Sequence, residues 1–148
     1  MSTIGLAIGD PNGIGPEIAV KAALRFAQER AQPRIVLLGD ERVIRFYADQ
    51  CGAGDRLTPF DAKTPGEGLL FFPVEALEAA SFRPGTPSAA GGRATIAYIE
   101  AALGLVDAGR AMAIVACPHS EKSVNAAGIP FSGYPSLLAR LKRLPEDE

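Results

Sequence analysis

What most constrains this chain is that its short apolar runs do not alternate with polar residues. Residues 4–8, 34–38, 69–72 and 111–117 are near-continuous apolar stretches, and helical patterns fall between them. A strand that shows one face to water alternates apolar with polar side chains, so strands without that alternation are covered on both sides. A mainly parallel sheet with helices on each face supplies that cover. The chain is therefore read as an α/β/α fold forming a single unit over residues 1–148.

The punctuation between the runs agrees. Residues 4–8 lead into Gly9-Asp10-Pro11-Asn12-Gly13, a dense cluster of turn formers. A helix is predicted from Pro16, whose fixed φ suits a first helical turn, with Glu17 set against the positive end of the dipole. Val20, Ala23, Leu24 and Ala27 share one face of it. Gly39 ends the second strand, and Asp40 is placed to cap a helix running to about Gln50. Residues 51–68 read as polar loop, and 83–92 as a long connection inside the same unit. The strongest helical pattern follows, with Ile96, Ile99, Leu103 and Val106 on one face and Gly109 as its stop. Pro118 ends the strand at 111–117, and residues 120–127 read as a short helix closed by Gly128. A last helix is expected from about Pro135 to Arg143, and residues 143–148 read as a polar stop that does not complete a sheet.

Charge and composition remove several function classes. Fifteen basic against 17 acidic residues leave a net charge of −2, a surface that does not draw polyphosphate from a distance, so no nucleic-acid partner is expected. No apolar run approaches the roughly 20 residues that span a bilayer. The N-terminus lacks the basic start and apolar stretch of a secretory signal, so a cytoplasmic location without membrane contact is expected. Cys51 and Cys117 form no close pair and are expected to be reduced and buried. With one histidine, His119, the chain cannot by itself assemble a zinc site of the Cys/His kind.

Four segments carry groups suited to chemistry. In Gly9-Asp10-Pro11-Asn12-Gly13-Ile14-Gly15-Pro16-Glu17 the glycines let backbone amides approach a ligand, the helix start favours an anion, and Asp10 and Asn12 offer directed hydrogen bonds. The same residues serve equally as a tight turn. Ser88-Ala89-Ala90-Gly91-Gly92 either cradles a phosphate or allows close packing of helix and sheet. In Cys117-Pro118-His119-Ser120-Glu121-Lys122 the lone His119 is either a general acid or base or a hydrogen-bonded structural residue. The loop from Gly128 to Ser136 offers Tyr134 and Ser136 to a polar ligand, with ordinary packing of Tyr134 as the plain alternative.

Taken in this order, these segments resemble the family of 4-hydroxythreonine-4-phosphate dehydrogenase, PdxA. The resemblance rests on Gly9 to Glu17, on Ser88 to Gly92 with its helix, on Ala113-Ile114-Val115-Ala116-Cys117-Pro118, and on Ala127-Gly128-Ile129-Pro130-Phe131-Ser132-Gly133. It implies a fold related to isocitrate and isopropylmalate dehydrogenases, a homodimer, a divalent metal, NAD, and oxidative decarboxylation of a small anionic substrate, a phosphorylated hydroxy acid.

Three departures stand out, and the first two mark a divergent branch. The family's loop typically reads Gly-His-Thr-Glu, whose His and Thr contact the phosphorylated substrate; here the positions are Gly133, Tyr134, Pro135 and Ser136. A phenol and an imide ring in place of imidazole and hydroxyl remove donors suited to an anionic ester. The family's lysine after the strand exit falls on Glu121, which repels phosphate. The family's metal-binding histidines lie in sequence that this chain does not contain. The expectation is therefore that residues 1–148 are the N-terminal portion of such a dehydrogenase, a substrate wall built from Tyr134, Pro135, Asp10 and Asn12, inactive alone, with no metal held by this chain. The substrate is the phosphorylated hydroxy acid or, through the changed loop, a sugar acid or cis-dihydrodiol. A shortened, non-catalytic module that binds an anion or a partner is the reading from a different class.

Overall fold

A computed structural model describes residues 2–29, 33–63 and 67–145; the polar ending read at 143–148 lies outside the described residues from 146 onward. The order is β1 (Thr3–Ala7), α1 (Gly15–Gln28), β2 (Arg34–Gly39), α2 (Glu41–Gln50), β3 (Leu57–Pro59), β4 (Leu69–Pro73), α3 (Ala89–Asp107), β5 (Ala113–Ala116), α4 (Glu121–Ala126) and α5 (Tyr134–Leu141). Single 3-10 turns occupy Gly54–Arg56 and Ala79–Ser81. The five strands form one sheet in the order β3-β4-β2-β1-β5, and every neighbouring pair is parallel.

The unbroken apolar runs behave as expected for strands buried between layers. Ile8, Leu37, Leu38 and Leu69 are all below 2% exposed, as are Ile44 of α2 and Ile99 of α3. One layer holds α1, which lies over β2 and β4 and packs on α2; the other holds α3, which crosses β1, β2 and β5 and packs on α4. Pro16 stands in the first turn of α1 with Glu17 beside it, and Ala19, Val20, Ala23 and Leu24 are buried while Ala27 is half-buried. In α3 the buried set is broader than the four residues that set its period. Tyr98, Ala102 and Leu105 are also buried, and Leu103 and Val106 only half so, because this helix is covered on two sides.

The structure corrects four expectations. β3 lies within the segment read as loop; at three residues including Pro59 on a sheet edge, it is too short to show a period. Asp40 stands at the N-cap of α2, but its side chain makes no cap bond. Its carboxylate instead accepts from the backbone of Ala76 (3.1 Å) and Leu77 (3.3 Å) and from the Tyr98 hydroxyl. Cys51 is exposed, since α2 ends there with its polar face outward, whereas Cys117 is buried; both are free thiols. Finally, β5 is not covered on both faces, and Val115 is 51% exposed.

Candidate functional site

Parallel strands place all their carboxyl ends on one rim, where α/β sheets take their ligands. The rim here is built from the loops that follow β1, β4 and β5. After β1 the chain turns at Gly9, whose φ is +79°, and the Asp10 amide donates to the Pro118 carbonyl at 3.2 Å. A Cβ on Gly9 would lie 2.2 Å from that carbonyl, and one on Gly15 would lie 2.4 Å from the Ile8 carbonyl. These glycines are therefore filled by backbone: they let the first loop close against the exit of β5.

Asp10 and Asn12 are almost fully buried, at 2% and 3% exposure. Asp10 Oδ1 accepts from the Asn12 amide at 2.8 Å, while Oδ2 is buried without a hydrogen-bond partner. That carboxylate faces the first turn of α3, since a Cβ on Gly91 would sit 3.0 Å from Oδ1 and 3.5 Å from Oδ2. The positive end of α3 thus already has an anion belonging to the protein. Asn12 is bonded at both ends of its amide. Its Nδ2 donates to the Ser81 carbonyl at 3.0 Å, its Oδ1 accepts from the Arg83 amide at 2.7 Å, and its backbone carbonyl accepts from Gly85 at 2.7 Å.

Of the two readings of Ser88 to Gly92, close packing is the one the geometry supports. Ser88 Oγ caps α3 by accepting from the Gly91 amide at 3.0 Å, and the Ser88 amide donates to Ser123 Oγ at 3.2 Å. A Cβ on Gly92 would lie 2.1 Å from the Ser123 carbonyl, so this glycine lets α3 and α4 touch.

The loop after β5 and the loop before α5 meet in an aromatic cluster. The His119 ring lies 4.3 Å from Phe131 and 4.5 Å from Tyr134, centroid to centroid. The Tyr134 hydroxyl donates to the Cys117 carbonyl at 2.7 Å. Burial pushes the Tyr134 hydroxyl up to about 12 and the Cys117 thiol up to about 11, so neither ionises near neutrality. Burial also lowers His119 below its ordinary 6.5, against the smaller opposing pull of Glu121 and Asp10. Ser120 caps α4 through the Ser123 amide at 3.1 Å, and Glu121 and Lys122 are exposed. Pro135 is exposed beside Tyr134.

Next to this cluster an open depression of about 430 Å³ is lined by Asn125, Pro130, Phe131, Ser132, Ser136 and Arg140. Ser132 and Ser136 share a hydrogen bond of 3.0 Å, and the Arg140 guanidinium bonds the Pro130 carbonyl. Sequence reasoning passed over Asn125 and Arg140 and met Ser132 only as part of a motif; the signal for Arg140 was the spacing of four that puts it with Ser136 on one side of a helix.

The structure brings Tyr134 and Pro135 to the rim beside His119 and buries Asp10 and Asn12 within the first loop. This donor set does not fit a divalent cation, because no group of three or more His, Cys, Asp or Glu able to hold one occurs among the described residues. Nor does it fit a dinucleotide phosphate, because Gly9, Gly15 and Gly92 each abut a carbonyl. No helix among the described residues is long and apolar enough to cross a membrane.

Comparison with known proteins gives a consistent set of likenesses. The family model described as pyridoxal phosphate biosynthetic protein PdxA matches residues 30–146. A 1,2-dihydroxy-3,5-cyclohexadiene-1,4-dicarboxylate dehydrogenase from Comamonas sp is 38% identical over 145 residues, covering 98% of this chain and 42% of that protein. The crystal structure of a terephthalate 1,2-cis-dihydrodiol dehydrogenase from Burkholderia xenovorans LB400 matches 99% of this chain and 42% of its own, with 44% identity and a TM-score of 0.81. A 4-hydroxythreonine-4-phosphate dehydrogenase from Burkholderia phymatum matches 98% of this chain and 44% of its own, at 27% identity and a TM-score of 0.83. The chain thus spans less than half the length of the relatives it matches.

Proposed function

Because this chain belongs to the PdxA family, we propose that it supplies the substrate-facing wall of a dehydrogenase that oxidises a hydroxylated carboxylic acid with NAD and a divalent metal. Tyr134 and Pro135 face the substrate; Asp10 and Asn12 brace the loops behind them. Nicotinamide and metal are held by residues outside this chain, whose own donors do not suit either, and the 148-residue chain alone turns over nothing. A cytoplasmic homodimer goes with this reading.

The substrate class follows from Tyr134. Its hydroxyl is committed to the Cys117 carbonyl, Pro135 has no donor, and Glu121 is exposed on the same loop cluster, so these three positions offer a phosphate ester little to bind. A ring diol bearing carboxylates presents a flat apolar body to the Phe131–His119–Tyr134 cluster instead. The relatives named for such diols are 38% and 44% identical to this chain; relatives named for the phosphate ester reach 37%, so the changed loop and not overall identity carries the choice.

The test follows NADH formation with added Mg²⁺ or Zn²⁺. The chain alone should give none. Joined to the part of the Comamonas relative that it does not cover, it should oxidise a cis-dihydrodiol dicarboxylate faster than 4-hydroxythreonine 4-phosphate. Turnover by the chain alone, or preference for the phosphate ester, would reject the reading.

A further inference from the structure

Most polar groups near this rim are spent on the protein itself. Asp10 Oδ1, both ends of the Asn12 amide and the Tyr134 hydroxyl all have partners. His119 is different. Among the described residues neither of its ring nitrogens has a hydrogen-bond partner, and neither is a buried polar atom left without one, so both nitrogens of this half-buried ring reach the surface. Its place is nevertheless fixed. The Pro118 carbonyl before it accepts the Asp10 amide at 3.2 Å, and Ser120 after it caps α4. The imidazole lies 4.3 Å from the Phe131 ring and 4.5 Å from the Tyr134 ring, inclined by 59° and 73°. A side chain immobilised before its ligand arrives loses little freedom on binding.

The groups around the ring set its charge. Burial holds it below its ordinary value, and Glu121 on α4 and Asp10 in the first loop oppose this less strongly. Tyr134 and Cys117 stay neutral, pushed up to about 12 and about 11. Lys122 is exposed on α4, and Arg140 on α5 bonds the Pro130 carbonyl. At neutral pH the imidazole is therefore uncharged, with one nitrogen a donor and the other an acceptor. One neutral N–H suits a carboxylate, whereas the doubly charged end of a phosphate ester calls for several charged donors.

We infer that His119 is a specificity-determining residue, its ring N–H donating to the carboxylate remote from the diol in a cis-dihydrodiol dicarboxylate. The inference rests on the activity proposed above. The Comamonas relative is named for a 1,2-dihydroxy-3,5-cyclohexadiene-1,4-dicarboxylate, a ring with one carboxylate on a hydroxylated carbon and the other across the ring at C4. With metal and nicotinamide held outside this chain, the hydroxylated end lies toward them and the C4 carboxylate falls to this wall. Phe131 and Tyr134 meet the flat ring, and His119, set against both, takes its far substituent.

Two measurements test this. His119 is the chain's single histidine, so its imidazole carbon–proton resonances are identified without ambiguity. Benzene-1,4-dicarboxylate added to the 148-residue chain should shift them saturably and raise the pH at which the ring titrates, because a carboxylate favours the charged imidazole. Inorganic phosphate at equal ionic strength should shift them less. No saturable shift with the dicarboxylate, or an equal one with phosphate, would overturn the inference. In the chain joined to the uncovered part of the Comamonas relative, His119→Phe keeps a ring in place and removes the donor. The kcat/KM ratio for the dicarboxylate diol over the same diol lacking the C4 carboxylate should then fall by about ten-fold, the equivalent of one charge-assisted bond. An unchanged ratio would overturn the inference and leave the proposed activity in place. Preference of the unaltered joined chain for 4-hydroxythreonine 4-phosphate would instead remove that activity, and the inference with it.

Discussion

The Tyr98 hydroxyl donates to Asp40 Oδ2 across 2.5 Å in the core, joining α3 to the residue that links β2 to α2. The same carboxylate receives the Ala76 and Leu77 amides, so one buried charge ties together the strand end, the connection after β4 and the longest helix. Desolvation and this bond both raise the Tyr98 hydroxyl far above its ordinary value, which keeps it a donor throughout the stable pH range. Tyr98→Phe should therefore cost about 1.5–3 kcal/mol, the range for a hydrogen bond to a charged group. Urea unfolding followed by circular dichroism measures it, and a loss under about 0.5 kcal/mol would mean that water replaces the hydroxyl.

Two glycines of α3 should respond with opposite sign. Gly92→Ala drives a methyl to 2.1 Å from the Ser123 carbonyl, whereas a Cβ on Gly104 meets nothing within 4 Å. The first substitution should destabilise by about 1–3 kcal/mol through overpacking. The second should stabilise by about 0.4–1 kcal/mol through helix propensity and the unfolded chain's lost freedom. Paired thermal melts decide both.

His119 makes a pH prediction whose sign is set by burial. Its folded-state value lies below the ordinary 6.5, so the unfolded chain binds the proton more readily. The contribution is fully present above about pH 6.5 and is lost as pH falls through the lowered value. Melting temperatures of the chain and of His119→Phe should therefore diverge as pH is lowered from about 7.5 to 5.5, with the variant falling less. Parallel curves would show that the imidazole is not desolvated.

Thiol counting checks the burial of the cysteines. Cys51 is exposed, while Cys117 is buried with its thiol pushed up to about 11. A disulfide reagent at neutral pH should modify one thiol quickly in the folded chain and both after denaturation. Cys51→Ser should abolish the fast phase.

Returning the family's donors to the rim probes the wall itself. Tyr134→His with Pro135→Thr, made in the chain joined to the uncovered part of the Comamonas relative, should shift preference toward 4-hydroxythreonine 4-phosphate by about ten-fold or more, the equivalent of one charge-assisted bond. The ratio of kcat/KM values for the two substrates is the readout. Tyr134→His frees the Cys117 carbonyl, so the melting curve should be recorded alongside.

The sheet was legible because β1, β2 and β5 announced themselves twice, by an apolar run and by the glycine, proline or aspartate that stopped each, and β4 once, by its apolar run. β3 escaped because three residues cannot show a period, and its pairing with β4 is a tertiary fact. Asp40 was found as a helix-start residue, but its partners, Ala76, Leu77 and Tyr98, are distant in sequence, and no local rule points to them. The glycines of the first loop looked the same whether meant for a ligand or for a neighbouring carbonyl; only the position of Pro118 separates the two. Tyr134 shows both halves of the problem. Its identity was visible as a departure from a motif, while the direction of its hydroxyl, toward Cys117, was not.

The bonds of Asn12 have a consequence for how this rim can change. Its amide and carbonyl pin residues 81, 83 and 85 to the first loop, making that side a fixed jaw whose shape is inherited with the core. The opposite jaw, from Pro130 to Arg140, is bonded within itself through Ser132, Ser136 and Arg140 and reaches the exit of β5 through the Tyr134 hydroxyl. A lineage that adopts a new substrate therefore has a more adjustable side to work with, and it is the side that carries Tyr134 and Pro135.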